Sequence, residues 1–208
     1  MIEHVPSPSP DRALPFRDRE VPVTNAGEGM LRRAWTVKQV MAMNEAGIIN
    51  ENERFELIGG EVIPMNSKGI FHERLKWWLT RDLMRNLPDA YHVIPETTFY
   101  LADDTFVEPD LLIYPAFALE GLRGPDALLT IEISDSSLPY DLGRKAKLYA
   151  SFGVRECWTI NARTLTVTVH QDPGPLGYRR IRDETVGHKL RPFLVEGYSV
   201  NLQDFETA

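Results

Sequence analysis

Hydrophobic and polar positions along the chain fall into segments of helical and of strand-like period. Thr36 stands as an N-cap before "VKQVMAMNEAG", where Val37, Val40 and Met41 follow at helical spacing and Gly47 closes the element. "RFELIGGEVIPM" reads as two short strands joined at Gly59-Gly60, a pair suited to a two-residue hairpin turn. "FHERLKWWLTRDLMRNL" carries the strongest helical pattern. Phe71, Leu75, Trp78, Leu79 and Leu83 recur at offsets of 4, 7, 8 and 12, with Glu73, Lys76, Arg81 and Arg85 spread over the rest. Strand-like runs follow in "YHVIPETTFYL", "FVEPDLLIYP" and "ALLTIEIS", then a second helix around residues 140–152. "ECWTINA" and "TLTVTVHQ" return to strand, and "GYRRIRD" and "GHKLRPFLVEGYSVNL" read as peripheral antiparallel strands. This order predicts a mixed β-sheet with helices packed against it, of α/β or α+β type. The pattern leaves the topology open.

Composition narrows the class. A chain of 208 residues with 43% apolar content buries one substantial core, which predicts one domain. Five of the fifteen prolines fall in the first 22 residues, among serines and charges, so residues 1–30 read as a flexible tail ahead of a domain at 31–208. No apolar run approaches the roughly 20 residues that span a bilayer, and the N-terminus lacks the apolar core of a secretory signal. The single cysteine, Cys157, rules out an intrachain disulfide and fits a reducing interior. The chain therefore reads as soluble and cytoplasmic. Its net charge of −7 runs against the basic excess usual in nucleic-acid binders. Carboxylates gathered at a metal site would account for part of that charge, because bound cations restore the balance locally.

Three acidic residues interrupt apolar strands: Glu56 in "FELI", Asp110 in "EPDLLIY" and Glu132 in "TIEI". A carboxylate on a buried strand is costly unless it is paired, hydrogen-bonded or bound to a metal. Each one singly also fits a solvated face or an arginine partner. Asp110 and Glu132, however, lie 22 residues apart on consecutive strands. If those strands are neighbours, one face brings both side chains within reach of one cation. Carboxylates without a histidine or thiol cluster favour magnesium or manganese over zinc, and such sites serve phosphodiester hydrolysis with a lysine close by. On the second helix, Asp141, Lys145, Leu148, Tyr149 and Phe152 share one face at offsets of 4, 7, 8 and 11. Lys145 thus points inward with apolar neighbours while Lys147 points to solvent. Spacing alone leaves two readings of Lys145 open: a site lysine, or a structural one that pairs with Asp141 along the helix or snorkels past the core edge.

These residues carry a family resemblance. Asp110 after Pro109, followed by Glu132-Ile133-Ser134, resembles the PD-(D/E)xK nuclease motif with its final lysine absent. The words around it resemble the Uma-type restriction-endonuclease family, long catalogued as a domain of unknown function. They are "FELIGGEVIPM", His72 opening the long helix, "EPDLLIY", "IEISDSS", Asp141-x3-Lys145-x3-Tyr149 and "GVRECWTINA", in consistent order over residues 35–205. The resemblance implies a restriction-endonuclease-like core, a central mixed sheet flanked by helices. It also implies a Mg2+ (or Mn2+) site with Asp110 and Glu132 as ligands and Lys145 as the displaced lysine. Glu56 is implied as a further ligand or water-orienting group. His72 and Ser134 are implied beside the site, and Tyr149 as core packing with its hydroxyl close to it. One departure is Asp135, where the family often has proline.

Two functions follow from this reading. The first is a metal-dependent endonuclease hydrolysing DNA, expected as a homodimer. The second is a non-catalytic, homodimeric interaction module that keeps the nuclease fold, which the acidic charge favours. An enzyme acting on RNA or a nucleotide is a third class. No phosphate-binding glycine loop or zinc-ligand spacing is present, and Cys157 lacks a histidine partner for thiol catalysis. Arg74, Lys76, Arg81 and Arg85 on the long helix, with Arg179, Arg180 and Arg182, stand as phosphate contacts or as a solvated face.

Overall fold

A computed structural model describes residues 23–25, 31–50, 52–117 and 121–206. Most of the proline-rich segment expected as a tail lies outside the described residues. Val23–Asn25 (β1) pairs with Leu31–Arg33 (β2) in an antiparallel ribbon. Helix α1 (Val37–Glu45) starts at Thr36, which forms a reciprocal capping box with Gln39: the Thr36 hydroxyl accepts from the Gln39 amide, and the Gln39 side chain accepts from Thr36 N–H. Strands β3 (Phe55–Ile58) and β4 (Glu61–Pro64) form the expected hairpin, with Leu57 opposite Val62. Gly59 and Gly60 turn it at φ of 58° and 79°, both in the left-handed region that a side chain resists.

Helix α2 (Ile70–Asn86) is followed by β5 (Tyr91–Pro95), β6 (Phe99–Ala102), β7 (Thr105–Val107), β8 (Leu111–Pro115) and β9 (Leu129–Ser134). The second helical segment is composite: α3 (Leu138–Tyr140), a π-helical turn over Asp141–Lys145, and α4 (Ala146–Ser151). Strands β10 (Glu156–Asn161), β11 (Val167–Gly174) and β12 (Gly177–Glu184) precede a short α5 (Gln203–Glu206). The segment "GHKLRPFLVEGYSVNL" departs from expectation. It contributes only one isolated antiparallel bridge, Leu190 to Val200, and otherwise packs through side chains such as Val195 and Tyr198.

Two sheets result. Six strands run in the order β12-β11-β10-β9-β8-β5, and four in the order β4-β3-β7-β6. Strands β9 and β10 are parallel, joined through the composite helical segment, while the other pairs are antiparallel. The six-stranded sheet is mixed and covered on both faces, so its central strand β9 is buried along its whole length. One face packs Leu111, Ile113, Leu129, Ile131 and Trp158 against Leu75, Trp78, Leu79 and Leu83 of α2. The other face packs Leu112, Tyr114 and Cys157 against Tyr149 and Ala150, and against Ile58, Phe99 and Val107 of the smaller sheet. Each fully buried side chain of this kind contributes about 1.5–3 kcal/mol of transfer free energy. Phe71, expected on the buried face of α2, is exposed, and the Arg163 guanidinium lies 4.9 Å from its ring centroid. Its place on the buried face is taken by His72, and Lys76, expected on the surface, is buried as well. Polar partners waiting beneath the first turns of α2 hold both.

Candidate active site

The register of β8 and β9 sets Leu111 opposite Ile131, which makes Asp110, one residue ahead of β8, and Glu132, inside β9, the next pair along. The Ile133 N–H donates to Asp110 Oδ2 at 2.8 Å and fixes that carboxylate against β9. Glu132 projects to the face covered by the composite helix, where the Lys145 ammonium donates to its Oε2 at 3.0 Å and the Tyr149 hydroxyl to its Oε1 at 2.6 Å. Lys145 Nζ also lies 2.8 Å from Glu56 Oε1, which reaches across from β3 in the smaller sheet. Glu56 accepts in addition from the Glu108 amide at 3.0 Å and the Tyr140 hydroxyl at 3.1 Å. Glu56, Glu132 and Lys145 are all 3% exposed or less. A charge buried to that degree persists only with partners, and here each has at least two.

Helical spacing placed Lys145 inward and Lys147 outward, and the side chains lie so: Lys145 is buried and Lys147 exposed. The alternative reading, a helix pair between Lys145 and Asp141, is replaced by two separate arrangements. Asp141 Oδ2 accepts from the hydroxyls of Ser134 at 2.6 Å and Ser137 at 2.5 Å. The π-helical turn that contains both residues widens the helix by one residue, a device common at functional positions. Ser134, which occupies the position of the absent motif lysine, therefore anchors the turn that presents Lys145. Asp135 binds Arg163 at 2.5 Å, and its carboxylate presses so close to Gly69 that a Cβ there would collide with it.

Lys68 and His72 complete the far wall, with Glu96 and Lys76 bound behind them. Lys68 Nζ lies 2.7 Å from Asp110 Oδ1 and 2.6 Å from Glu96 Oε1, and His72 Nε2 lies 3.0 Å from Asp110 Oδ1. Lys76 reaches the same Glu96 oxygen at 2.9 Å. No periodicity marks Lys68 or Glu96, because both sit in irregular chain: Lys68 in the loop before α2 and Glu96 after β5, at a positive φ of 47°. A lysine ahead of a helix start was the only signal, and it is a common one.

A cavity of about 470 Å³ joins these groups, lined by Glu56, Asp110, Glu132, Asp141, Lys68 and Lys145 among others. Burial is the largest influence on Glu132, Asp110, Lys145 and Cys157. It pushes the Glu132 carboxyl well above the usual range, and nearby Asp110, Asp141 and Glu56 add to this against the pull of Lys145. Burial also pushes Asp110 up, but the His72 ring and the Lys68 ammonium outweigh it and hold Asp110 well below the usual range. Lys145 is disfavoured by burial yet raised well above its ordinary value by Glu132, Glu56 and Asp141. It is therefore an ammonium at neutral pH. Cys157 is fully buried and its thiol is pushed up to about 12 by that burial, which removes it as a nucleophile.

The donor chemistry fits a hard divalent cation. Six carboxylates line the cavity (Glu56, Glu108, Asp110, Glu132, Asp135 and Asp141) against two lysines, with one imidazole and no thiol. Among the described residues no three His, Cys, Asp or Glu side chains stand together in ligating geometry. The ammonium groups explain this, since Lys145 and Lys68 stand between the acids.

The sequence profile of the Uma2 family, described as "Putative restriction endonuclease", matches residues 38–203. Among solved structures, a "putative nuclease belonging to DUF820" from Anabaena variabilis ATCC 29413 shares the fold, with a TM-score of 0.62 at 14% identity. The match covers 83% of this chain and 97% of that one. No curated protein matches the chain. No helix among the described residues is long and apolar enough to cross a membrane. With the profile spanning nearly the whole folded region, the chain belongs to the Uma2 family of putative restriction endonucleases.

Proposed function

We propose that the chain is a metal-dependent endonuclease that hydrolyses phosphodiester bonds of DNA. The observation that carries this reading is the convergence of Glu56, Asp110, Glu132 and Lys145, from separate elements, on one accessible cavity. Asp110 and Glu132 are the residues that would hold Mg2+ or Mn2+. Such an ion supplies stabilisation of charge on the phosphoryl oxygens and acidifies a water for attack. Lys145 stays protonated, so it acts as a fixed positive charge toward the phosphate and not as a base. Glu56 and Tyr149 are positioning residues: Glu56 anchors the Lys145 ammonium, and the Tyr149 hydroxyl orients the Glu132 carboxylate. Tyr140 ties Glu56 to the composite helix in the same way.

Hydrolysis breaks the bond between phosphorus and the leaving oxygen, while the attacking water loses a proton and the leaving oxygen gains one. The test is cleavage of single- and double-stranded DNA and RNA with Mg2+ or Mn2+, comparing wild type with Glu132→Ala and Lys145→Ala. Removing Glu132 should lower cleavage by at least about a hundredfold. Cleavage at the wild-type rate in Glu132→Ala sinks the assignment. One observation favours the other reading, a homodimeric module without catalysis: every oxygen of Glu132 and Asp110 already has a partner inside the chain. A calorimetric titration showing no binding of either cation at millimolar concentration would support that module instead.

A further inference from the structure

The outward face of α2 alternates apolar and cationic side chains. Ile70, Arg74, Trp77, Arg81 and Met84 fall at offsets of 4, 7, 11 and 14, a single stripe on the helix surface. Ile70, Trp77 and Met84 are 67%, 62% and 63% exposed, unusual for side chains of this size on one face. The guanidinium of Arg81 lies 4.5 Å from the Trp77 ring centroid and that of Arg74 lies 5.8 Å from the ring of Phe205. Together these residues line a surface cavity of about 470 Å³ between α2 and α5. Glu73 also lines this cavity but is paired with Lys76 at 2.8 Å, and Asp82 accepts from the Tyr198 hydroxyl at 2.7 Å. A local cationic surface thus sits on a chain of net charge −7.

The stripe starts where the chain leaves the active-site cavity, although it runs along the opposite side of α2 from His72. Lys68, Gly69 and His72 line that cavity, and Ile70 begins the stripe within the same turn of chain. From Ile70 to Met84 it extends roughly 21 Å along the helix axis. We propose that this face is a docking surface for a single strand of nucleic acid flanking the scissile phosphate. The inference rests on the nuclease reading and adds to it the route of the substrate. Guanidiniums set beside the exposed Trp77 ring and the Phe205 ring suit a strand whose phosphates meet the cations while an unpaired base stacks on a ring or guanidinium plane. A second copy of the chain is a poorer occupant, because a two-fold pairing of this stripe sets arginine against arginine.

The test measures binding of labelled single-stranded DNA, single-stranded RNA and blunt duplex DNA to the full chain by fluorescence anisotropy, in EDTA so that nothing is cut. Trp77→Ala should weaken single-strand binding about tenfold. The double variant Arg74→Glu/Arg81→Glu should weaken it at least as much and make the salt dependence shallower by about 1.4 in log–log slope. Hydrolysis of a small phosphodiester, bis-p-nitrophenyl phosphate, reads the cavity alone and should be unchanged in all of these variants. Wild-type affinity in both variants overturns the proposal, as does duplex binding equal to single-strand binding and indifferent to Trp77. Sedimentation showing a dimer that Trp77→Ala converts to monomer, without loss of strand binding, assigns the face to a second copy and also overturns it. Failure of the nuclease reading looks different: no cleavage of any substrate by wild type, with stripe-dependent strand binding intact.

Discussion

Two lysines in this molecule each bridge a pair of carboxylates, and they differ in what carries them. Lys145 joins Glu56 and Glu132, groups almost without exposure and borne on two strands and a helical turn. Lys68 joins Glu96 and Asp110 from irregular chain, with Glu96 about one-third exposed. The first bridge is part of the packed interior, so its geometry is set by the same contacts that set the core. The second is held mainly by its own ion pairs, and a loop lysine moves at little cost. On the metal-dependent reading proposed above, Lys68 is the ammonium that would give way to a cation at Asp110, while Lys145 would keep its place.

The largest expected effect tests the rigid half. Lys145→Met leaves Glu56 and Glu132 buried without their cation and should cost about 3–5 kcal/mol in denaturant unfolding. A cost near that of an exposed pair would mean that the two bridges do not differ in kind. Gly69→Ala comes next, because the added Cβ meets the Asp135 carboxylate where α2 begins. A loss of about 1–3 kcal/mol is expected there, measured by the same unfolding. Lys68→Met should cost about 1–2 kcal/mol, because the buried Asp110 keeps His72 and the Ile133 amide, and should tighten Mn2+ binding in calorimetry, since the competing ammonium is gone. Weaker binding in that variant would place Lys68 among the groups that help the ion instead.

The smallest effect is a pH dependence. Burial raises the Glu96 carboxyl, but Lys68 and Lys76 outweigh it and lower it from 4.5 to about 2. A depressed carboxylate adds stability that is complete above its unfolded value and is lost as pH falls through its folded value. Wild type should therefore exceed Glu96→Gln by under about 1 kcal/mol near neutrality, given the exposure of the group. That margin should shrink between pH 4.5 and about 2. A margin that stays constant through this window would show that Glu96 contributes shape and not charge.

The parts of the site on regular elements were legible because periodicity reports facing. Glu132 stood out as an acid in an apolar strand, and offsets along the second helix separated Lys145 from Lys147. The same reasoning failed at Phe71, which spacing assigns to the core. There the first turn of α2 faces the polar cavity, so His72 is drawn in toward Asp110, and Lys76, one turn later, toward Glu96. Lys68 and Glu96 gave no signal, because loop residues have no period and their partners lie 28 and 42 positions away. The last segment, read as strands, forms a single bridge because side-chain packing on α2 holds it without a ladder.

Alternation and helical spacing, written into neighbouring residues, were enough for the hairpin turn at Gly59-Gly60, the Thr36 cap, the burial of β9 and the inward lysine. Those features depend on local backbone geometry and on which face is apolar. The pairing of β8 with β9, the reach of Glu56 from a second sheet, and the division of carboxylates between two lysines depend on long-range contacts. No window of sequence contains them, since each arises from elements that meet only after the chain has packed.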